Sequence, residues 1–255
     1  MRGNLGVGSI GAIPEIARIT LRQLLGRRRT LLLVLLSTLP VLLAIAFRAG
    51  GETAIEPFTR RVFDTISITI LLPLVAILFG SGAFGAEIDD GTIVYLLAKP
   101  LSRWAVVAGK ALSAAAVAIL LTVASTALAG FIDLAPAGND GVLATEAQVL
   151  AMVVGSVCYV SLFLALSLFT RRALVIGVGY MLVWEGALSV LLPGIANLSI
   201  RQYALGASAA IYSLPVQEAR LSAETGFILA GVLVAATLAI ATWRLMRFEL
   251  PGGGD

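Results

Sequence analysis

The sequence predicts an all-α membrane protein with six transmembrane helices, an N-terminal interfacial amphipathic helix and a short helix in a cytoplasmic loop. Of the 255 residues, 59% are hydrophobic and 13% are charged, whereas soluble domains carry about 25% charged residues. The mean hydropathy of +0.98 indicates that much of the chain faces lipid. The absence of histidine and the single cysteine, Cys158, exclude histidine-based catalysis, most zinc sites and an internal disulfide.

Six apolar stretches have the roughly 17–25 residues that cross a bilayer as a helix. They are residues 31–47, 66–84, 111–132, 149–170, 173–193 and 226–243. Glu185 is the only charged residue within them, as expected where a charge in hydrocarbon costs about 2.5–3.5 kcal/mol. The chain therefore divides into a cytoplasmic N-terminus (1–29), a single transmembrane domain (30–250) and a cytoplasmic tail (251–255).

The distribution of basic residues predicts that both termini are cytoplasmic. Only Arg171 and Arg172 separate the fourth and fifth spans, which indicates a tight turn at one membrane face. With the termini on the side of this turn, 13 of the 18 basic residues lie inside and five lie outside, in agreement with the positive-inside rule. The inside set is Arg2, Arg18, Arg22, Arg27, Arg28, Arg29, Lys99, Arg103, Lys110, Arg171, Arg172, Arg244 and Arg247, and the outside set is Arg48, Arg60, Arg61, Arg201 and Arg220.

An amphipathic helix is predicted before the first span, over residues 13–29. At 100° per residue its apolar side chains share one face, and Arg18, Arg22 and Arg29 lie opposite. Pro14 suits the first helical turn. We interpret this segment as an interfacial helix whose arginines contact the phosphates of membrane lipids; an ordinary solvated basic helix is the alternative.

Three segments are predicted to be external: residues 48–65, 133–148 and 194–225. In the last and longest, residues 199–205 can form a short surface helix after Asn197. A structured cap over the outer mouth and a lipid-facing re-entrant segment are both compatible with this pattern.

The loop between the second and third spans, residues 87–103, is predicted to contain a short helix with signals at both ends. Asp89 or Asp90 can cap the first turn, Lys99 lies at the negative end of the helix dipole, and Pro100 ends the helix.

Four apolar residues lie on this loop: Ile93, Val94, Leu96 and Leu97. An apolar surface outside the membrane usually marks a partner site, but these side chains could equally pack against the inner ends of the second and third spans. Ser102 is placed to cap the next helix.

A specific sequence pattern runs through the same loop. It consists of Glu87, Asp89, Asp90, Gly91, Thr92, Ile93, Tyr95, Leu96, Leu97, Lys99, Pro100, Leu101, Ser102 and Arg103, followed by Gly109 and Lys110. This pattern closely resembles the first cytoplasmic loop of ABC-2 type permeases, the membrane subunits of bacterial and archaeal ABC transporters that include the copper-enzyme-maturation type. The amphipathic helix, the six spans and the external segment before the last span extend the resemblance over essentially the whole chain.

The resemblance implies that the loop is a coupling helix that docks into a separate ATP-binding cassette subunit. Carried over by position, the docking residues are Glu87, Asp89, Asp90, Gly91, Thr92, Tyr95, Leu96, Lys99, Pro100 and Arg103. The implied protein is a transmembrane permease subunit of an ATP-driven exporter in a prokaryotic plasma membrane. A second permease subunit is also implied, with a homodimer as the simplest case and a heterodimer as the alternative.

The sequence contains no Gly-x-x-x-x-Gly-Lys-Ser/Thr phosphate loop, and Gly109-Lys110 is followed by alanine. ATP and Mg²⁺ are therefore expected on the partner subunit. The chain itself is expected to be no enzyme and to bind no cofactor, metal or nucleic acid.

Glu185 is the only charged residue of the predicted membrane core, and placing a charge there costs free energy. A carboxylate at that depth usually faces a bundle interior, a cavity or a partner. It is interpreted either as part of the translocation path or as a hydrogen-bonded intramembrane contact that fixes helix positions. Pro40 and Pro73 lie inside the first two spans and are expected to kink them.

Two other function classes are less compatible with the sequence. A secondary transporter driven by an ion gradient would need more intramembrane ionisable groups than one glutamate. An intramembrane protease would need histidines or paired carboxylates in the spans, and neither is present. The spans carry no recognisable substrate signature.

Overall fold

A computed structural model describes residues 13–21, 28–51, 54–93, 95, 101–188, 193–213 and 219–247. Within these ranges the regular structure is helical, and no strand is found. The far end of the fifth predicted span, the tail 251–255 and part of the predicted interfacial helix lie outside the described residues, as do Leu96, Lys99 and Pro100 of the predicted docking segment.

Ten α-helices are described. They are α1 (residues 13–21), α2 (Arg28–Ser37), α3 (Leu39–Ala49), α4 (Ile55–Phe58), α5 (Leu72–Asp89), α6 (Arg103–Asp133), α7 (Asn139–Ser167), α8 (Ala173–Gly179), α9 (Ile200–Ser208) and α10 (Ala223–Met246). Two π-helical segments, Thr59–Leu71 and Tyr180–Leu188, follow α4 and α8. Short 3₁₀ turns occupy Ala135–Ala137 and Pro193–Leu198.

Five helical stretches are long and apolar enough to cross a membrane. They are Leu31–Ala49, Ile55–Asp89, Arg103–Asp133, Asn139–Ser167 and Ala223–Met246. The fifth predicted span is represented by a shorter apolar helix, Ala173–Ala187. The prediction of an all-helical, multi-span membrane protein is confirmed, and the count of six spans stays a prediction.

The helices extend beyond the apolar stretches that predicted them. The helix over Ile55–Asp89, called the second-span helix below, and α7 both begin about ten residues before the predicted starts of their spans. Backbone hydrogen bonding continues into polar flanks: the 31 residues of α6 are roughly 46 Å long, against a hydrocarbon thickness of about 30 Å. Much of the predicted external segments 48–65 and 133–148 is therefore helix.

The centre of the bundle is the contact between α5 and α7. The most apolar windows of the second-span helix and of α7 are each 61% buried, against 22% for those of the first and last spans. Glycines allow the close approach: a Cβ atom on Gly80 would lie 2.9 Å from the Val160 carbonyl oxygen, and one on Gly155 would lie 2.5 Å from Leu72. Small residues let membrane helices approach closely enough to gain dispersion energy.

Substituting Gly80 with alanine is expected to destabilise the protein by about 1–3 kcal/mol, because the added methyl group meets backbone atoms of α7 that cannot rotate away. Gly85→Ala is the matched control on the same helix, since its Cβ would have no neighbour within 4 Å. The control is expected to be neutral or slightly stabilising through helix propensity. Thermal unfolding of the purified protein measures both, and equal melting temperatures would contradict the assigned close contact.

Pro40 and Pro73, the two prolines expected to kink the first two spans, lie at interruptions of regular α-helix. The first span is broken at Thr38, between α2 and α3, and Pro40 lies in the first turn of α3. Pro73 is the second residue of α5, directly after the first π segment. Proline has no backbone N–H to donate within a helix, which accounts for irregular bonding at both places.

Helix α1 packs against the start of α6. Ile16 and Thr20 are buried, and a Cβ atom on Gly109 would lie 3.0 Å from Ile16. Ile19 is 48% exposed, in agreement with its position off the apolar stripe. The location of α1 in the lipid headgroup layer stays a prediction.

Candidate functional site

The loop 87–103 begins at the end of α5, which runs without a break through Glu87 to Asp89. Asp90 and Gly91 form a turn, and Gly91 has a φ of 68°, a left-handed conformation that glycine adopts without steric cost. The chain therefore leaves the bundle abruptly at Asp89. Asp89 is the last residue of α5, so of the two residues predicted as the cap of a separate loop helix, Asp89 or Asp90, only Asp90 lies outside α5.

Most described residues from Asp89 to Tyr95 are exposed. Asp89, Asp90, Gly91 and Thr92 are exposed, and the Tyr95 side chain is 75% exposed. Ile93, in contrast, is 3% exposed and packs in the core. Among the described residues just after the turn, Ile93 is thus directed inward, whereas the aromatic side chain of Tyr95 is largely exposed.

Lys110, the eighth residue of α6, fixes the base of the loop. Its ammonium group donates to the Ala83 carbonyl oxygen at 2.6 Å and to Glu87 Oε1 at 2.8 Å. It also lies 4.9 Å from the centroid of the Phe84 ring. Ala83 and Glu87 are one turn apart on the same face of α5. The lysine side chain is 1% exposed, so α5 and α6 are joined by an almost fully buried ion pair.

The described residues of the predicted docking segment therefore fall into two groups. Asp89, Asp90, Gly91, Thr92 and Tyr95 are exposed, whereas Glu87 is bound to Lys110. Arg103 is the first residue of α6. Ser102 occupies the N-cap position of α6 as expected, but among the described residues its hydroxyl makes no capping hydrogen bond.

A second polar cluster lies at the opposite end of the bundle, around α9. The short helix predicted after Asn197 exists, as Ile200–Ser208, but it is buried and does not lie on the surface: every residue of α9 except Arg201 is buried. It packs mainly against α7 and α10. Apolar and small side chains on α9 allow it to pack closely against these membrane helices. This composition explains why α9 is buried.

Glu185 binds the start of α9. Its carboxylate accepts hydrogen bonds from Ser199 Oγ at 2.6 Å, the Ile200 backbone N–H at 2.9 Å and Tyr180 Oη at 3.1 Å. Ser199 is the N-cap residue of α9, so the negative charge lies at the positive end of the helix dipole. Glu185 is 3% exposed. In this structure it makes a buried polar contact at the start of α9, and its depth in the membrane and a place on a translocation path stay predictions.

Arg201 connects α9 to the second-span helix. Its guanidinium donates to the Asp64 carboxylate, and both side chains are about four-fifths buried. Asp64 lies in the first π segment and Glu185 in the second. The π-helix is a rare conformation that is frequent at functional sites, and here each π segment supplies one carboxylate to the same helix.

Tyr203 and Gln202 complete the fixation of α9. Burial raises the pKa of the Tyr203 phenol above its ordinary value, with Cys158 and Glu185 acting in the same direction. The phenol donates to the Asn197 carbonyl oxygen at 2.6 Å. The Gln202 side chain accepts from the backbone N–H of Arg220 at 3.0 Å.

Lys110, Asp64 and Arg201 were not predicted as structural contacts. Lys110 and Arg201 were counted toward membrane orientation, and Lys110 also belongs to the family pattern. A signal for Lys110 existed: opposite charges, Glu87 and Lys110, flank the facing ends of consecutive spans. Asp64 and Arg201 are 137 residues apart, and nothing local connects them.

The sequence matches the family described as ABC-2 family transporter protein over residues 15–250. No curated protein matches the chain. The family match includes the loop 87–103, the described spans and α9, and it agrees with the multi-span helical fold. The chain therefore belongs to the ABC-2 transporter family, and it is a multi-pass membrane permease subunit of the ABC transporter type.

Proposed function

We propose that the chain is the transmembrane subunit of an ATP-driven exporter in a prokaryotic plasma membrane, with both termini in the cytoplasm. A separate ATP-binding cassette subunit, carrying ATP and Mg²⁺, docks on the loop 87–103. The observation that carries this proposal is the contrast within the loop: exposed acidic residues and an uncovered Tyr95 lie next to a base that is fixed by the buried Glu87–Lys110 pair.

The exposed part of the loop has the chemistry of a docking surface. Tyrosine is enriched among residues that dominate binding energy at protein interfaces. Asp89 and Asp90 add negative charge, which speeds association with a positively charged cleft. Leu96, Lys99, Pro100 and Arg103 are assigned to the same surface by their positions in the family pattern.

The base of the loop supports transmission of movement. Force applied at Asp89 or Tyr95 reaches α5 directly, because α5 continues to Asp89. The Glu87–Lys110 pair passes the same force to α6. Closure of the ATP-binding subunit would then tilt the second and third spans together, and a pathway would open between two permease copies, arranged as a homodimer.

Replacing Tyr95 with alanine, or reversing the charges of Asp89 and Asp90 with arginine, is expected to weaken binding of the ATP-binding subunit by about 2 kcal/mol, roughly 30-fold in Kd. The partner in this test is the ATP-binding cassette subunit that co-purifies with the parent protein. The measurement is a binding titration with the permease in lipid nanodiscs, followed by co-purification.

Asp140→Arg is the matched control, because Asp140 is an exposed acid in the first turn of α7, at the end of the bundle away from the loop. It is expected to leave binding unchanged. A stable complex with full ATPase activity after deletion of the whole loop would contradict the proposed docking. Transport into sealed vesicles that ignores ATP but follows an ion gradient would contradict the energy source.

A further inference from the structure

Helix α9 is bound by carboxylates from two different spans. Glu185 holds its N-terminus from the fifth predicted span, and Asp64 holds Arg201 from the second-span helix. Because a helix of nine residues is short and stiff, a relative movement of these two spans must shift or rotate α9, or else break one of the two contacts.

The two spans differ in their relation to the loop 87–103. Asp64 lies on the second-span helix, the same continuous helix that ends at Asp89. The Asp64 end is roughly 30–40 Å from the loop at 1.5 Å per residue. Glu185 lies on a segment that begins beyond the Arg171–Arg172 turn. A displacement that starts in the loop therefore moves Asp64 along its own helix, while Glu185 has no such direct connection.

We propose that the Asp64–Arg201 ion pair is a positioning contact that carries movement of the loop 87–103 to α9 at the opposite end of the bundle. The inference rests on the proposed function, since it needs the loop to be moved by an ATP-binding subunit. Asp64 and Arg201 touch no substrate in this assignment. They set the position of α9 relative to the second-span helix.

The surroundings of the pair suit this role. Both side chains are largely buried, with exposed fractions of 21% for Asp64 and 18% for Arg201. An ion pair shielded from water is screened by salt much less than an exposed one. Removal of one partner leaves the other charge poorly compensated. The ion pair therefore resists separation. A displacement of the second-span helix along its axis, in either direction, moves α9 with it.

The test uses the complete complex with its ATP-binding subunit in nanodiscs, with two single-cysteine reporters read by spin-label spectroscopy. One reporter replaces Ala210, an exposed residue just after α9, and the other replaces Trp104, which is 45% exposed at the start of α6. Cys158, the native cysteine, is buried and is replaced by alanine in both reporters, so that each carries one cysteine. Spectra are compared without nucleotide and with ATP, Mg²⁺ and vanadate.

In the parent protein both reporters are expected to respond to nucleotide. Asp64→Asn and Arg201→Gln are expected to abolish the response at position 210 and to leave the response at position 104 unchanged. Arg201→Lys, which keeps the charge, and the exchanged pair Asp64→Arg with Arg201→Asp are expected to restore at least half of it. Glu56→Gln, at an exposed carboxylate on the same helix, is the matched control and is expected to change neither response.

A response at position 210 that persists in Asp64→Asn and Arg201→Gln would overturn the inference and leave the proposed function intact. A parent protein in which position 104 responds to nucleotide and position 210 does not would also overturn the inference and leave the proposed function intact. Failure of both Arg201→Lys and the exchanged pair to restore the response would overturn the role of the ion pair. A parent complex in which position 104 does not respond would overturn the proposed function itself.

Discussion

Replacing Lys110 with methionine is expected to destabilise the protein by about 3–5 kcal/mol. Methionine has nearly the length of lysine, so the loss comes from the interactions of the ammonium group and not from a cavity. Glu87, which is 16% exposed, would lose its cation and face the low-dielectric base of the loop unpaired. Breaking a buried pair by removal of one partner has a cost of this size. Reversible unfolding of the detergent-solubilised protein measures it.

The double variant Lys110→Met with Glu87→Gln distinguishes the contribution of the ion pair to stability from the other contacts of the two side chains. Glu87→Gln alone leaves the lysine buried beside neutral acceptors and should also be strongly destabilising. Removal of both charges should cost less than the sum of the single changes, because no uncompensated charge remains. Additive effects of the two single changes would show that Lys110 and Glu87 do not interact in the folded protein.

Replacing Glu185 with leucine is expected to destabilise the protein by about 2–3 kcal/mol and to loosen α9 selectively. The substitution leaves the Ser199 hydroxyl and the Ile200 backbone N–H without their acceptor in a buried position. Glu185→Gln should recover part of the loss, since the amide oxygen still accepts from the start of α9. Thermal unfolding gives the overall effect, and hydrogen exchange over residues 199–208 locates it.

Glu146→Gln is the control for the glutamate prediction, because Glu146 is an exposed carboxylate on α7. It should be neutral within about 0.5 kcal/mol. Faster exchange throughout the bundle in Glu185→Leu, instead of in α9 specifically, would argue against a local anchoring role. A stability equal to that of the parent would remove Glu185 from the contacts that fix α9.

The spans were the most predictable part of this protein, because lipid demands about 20 consecutive apolar residues for each crossing helix. The same rule explains the error in their bounds. Apolarity ends with the hydrocarbon layer, whereas the backbone hydrogen bonds of α6 continue through Arg103 and those of α7 from Asn139. The two π segments were not predicted, because the residues of the first, Thr59–Leu71, are equally compatible with an ordinary amphipathic α-helix.

The candidate sites were predictable only where one residue stood out. Glu185 could be selected because it is the single charge in the predicted spans. Its partners could not, because Ser199 and Ile200 reach it only after the chain folds back through the segment before α9. The burial of α9 likewise depends on the faces of α7 and α10, which no local pattern specifies.

The Glu87–Lys110 contact also bears on how the chain enters the membrane. During biosynthesis the second span arrives with a glutamate at its trailing end, and the third arrives with a lysine at its leading end. Both residues lie outside the predicted hydrocarbon spans, so neither charge is expected to oppose insertion of its own span. The ion pair can form only when the two ends lie side by side. It therefore closes the two spans into a hairpin after they have entered the membrane.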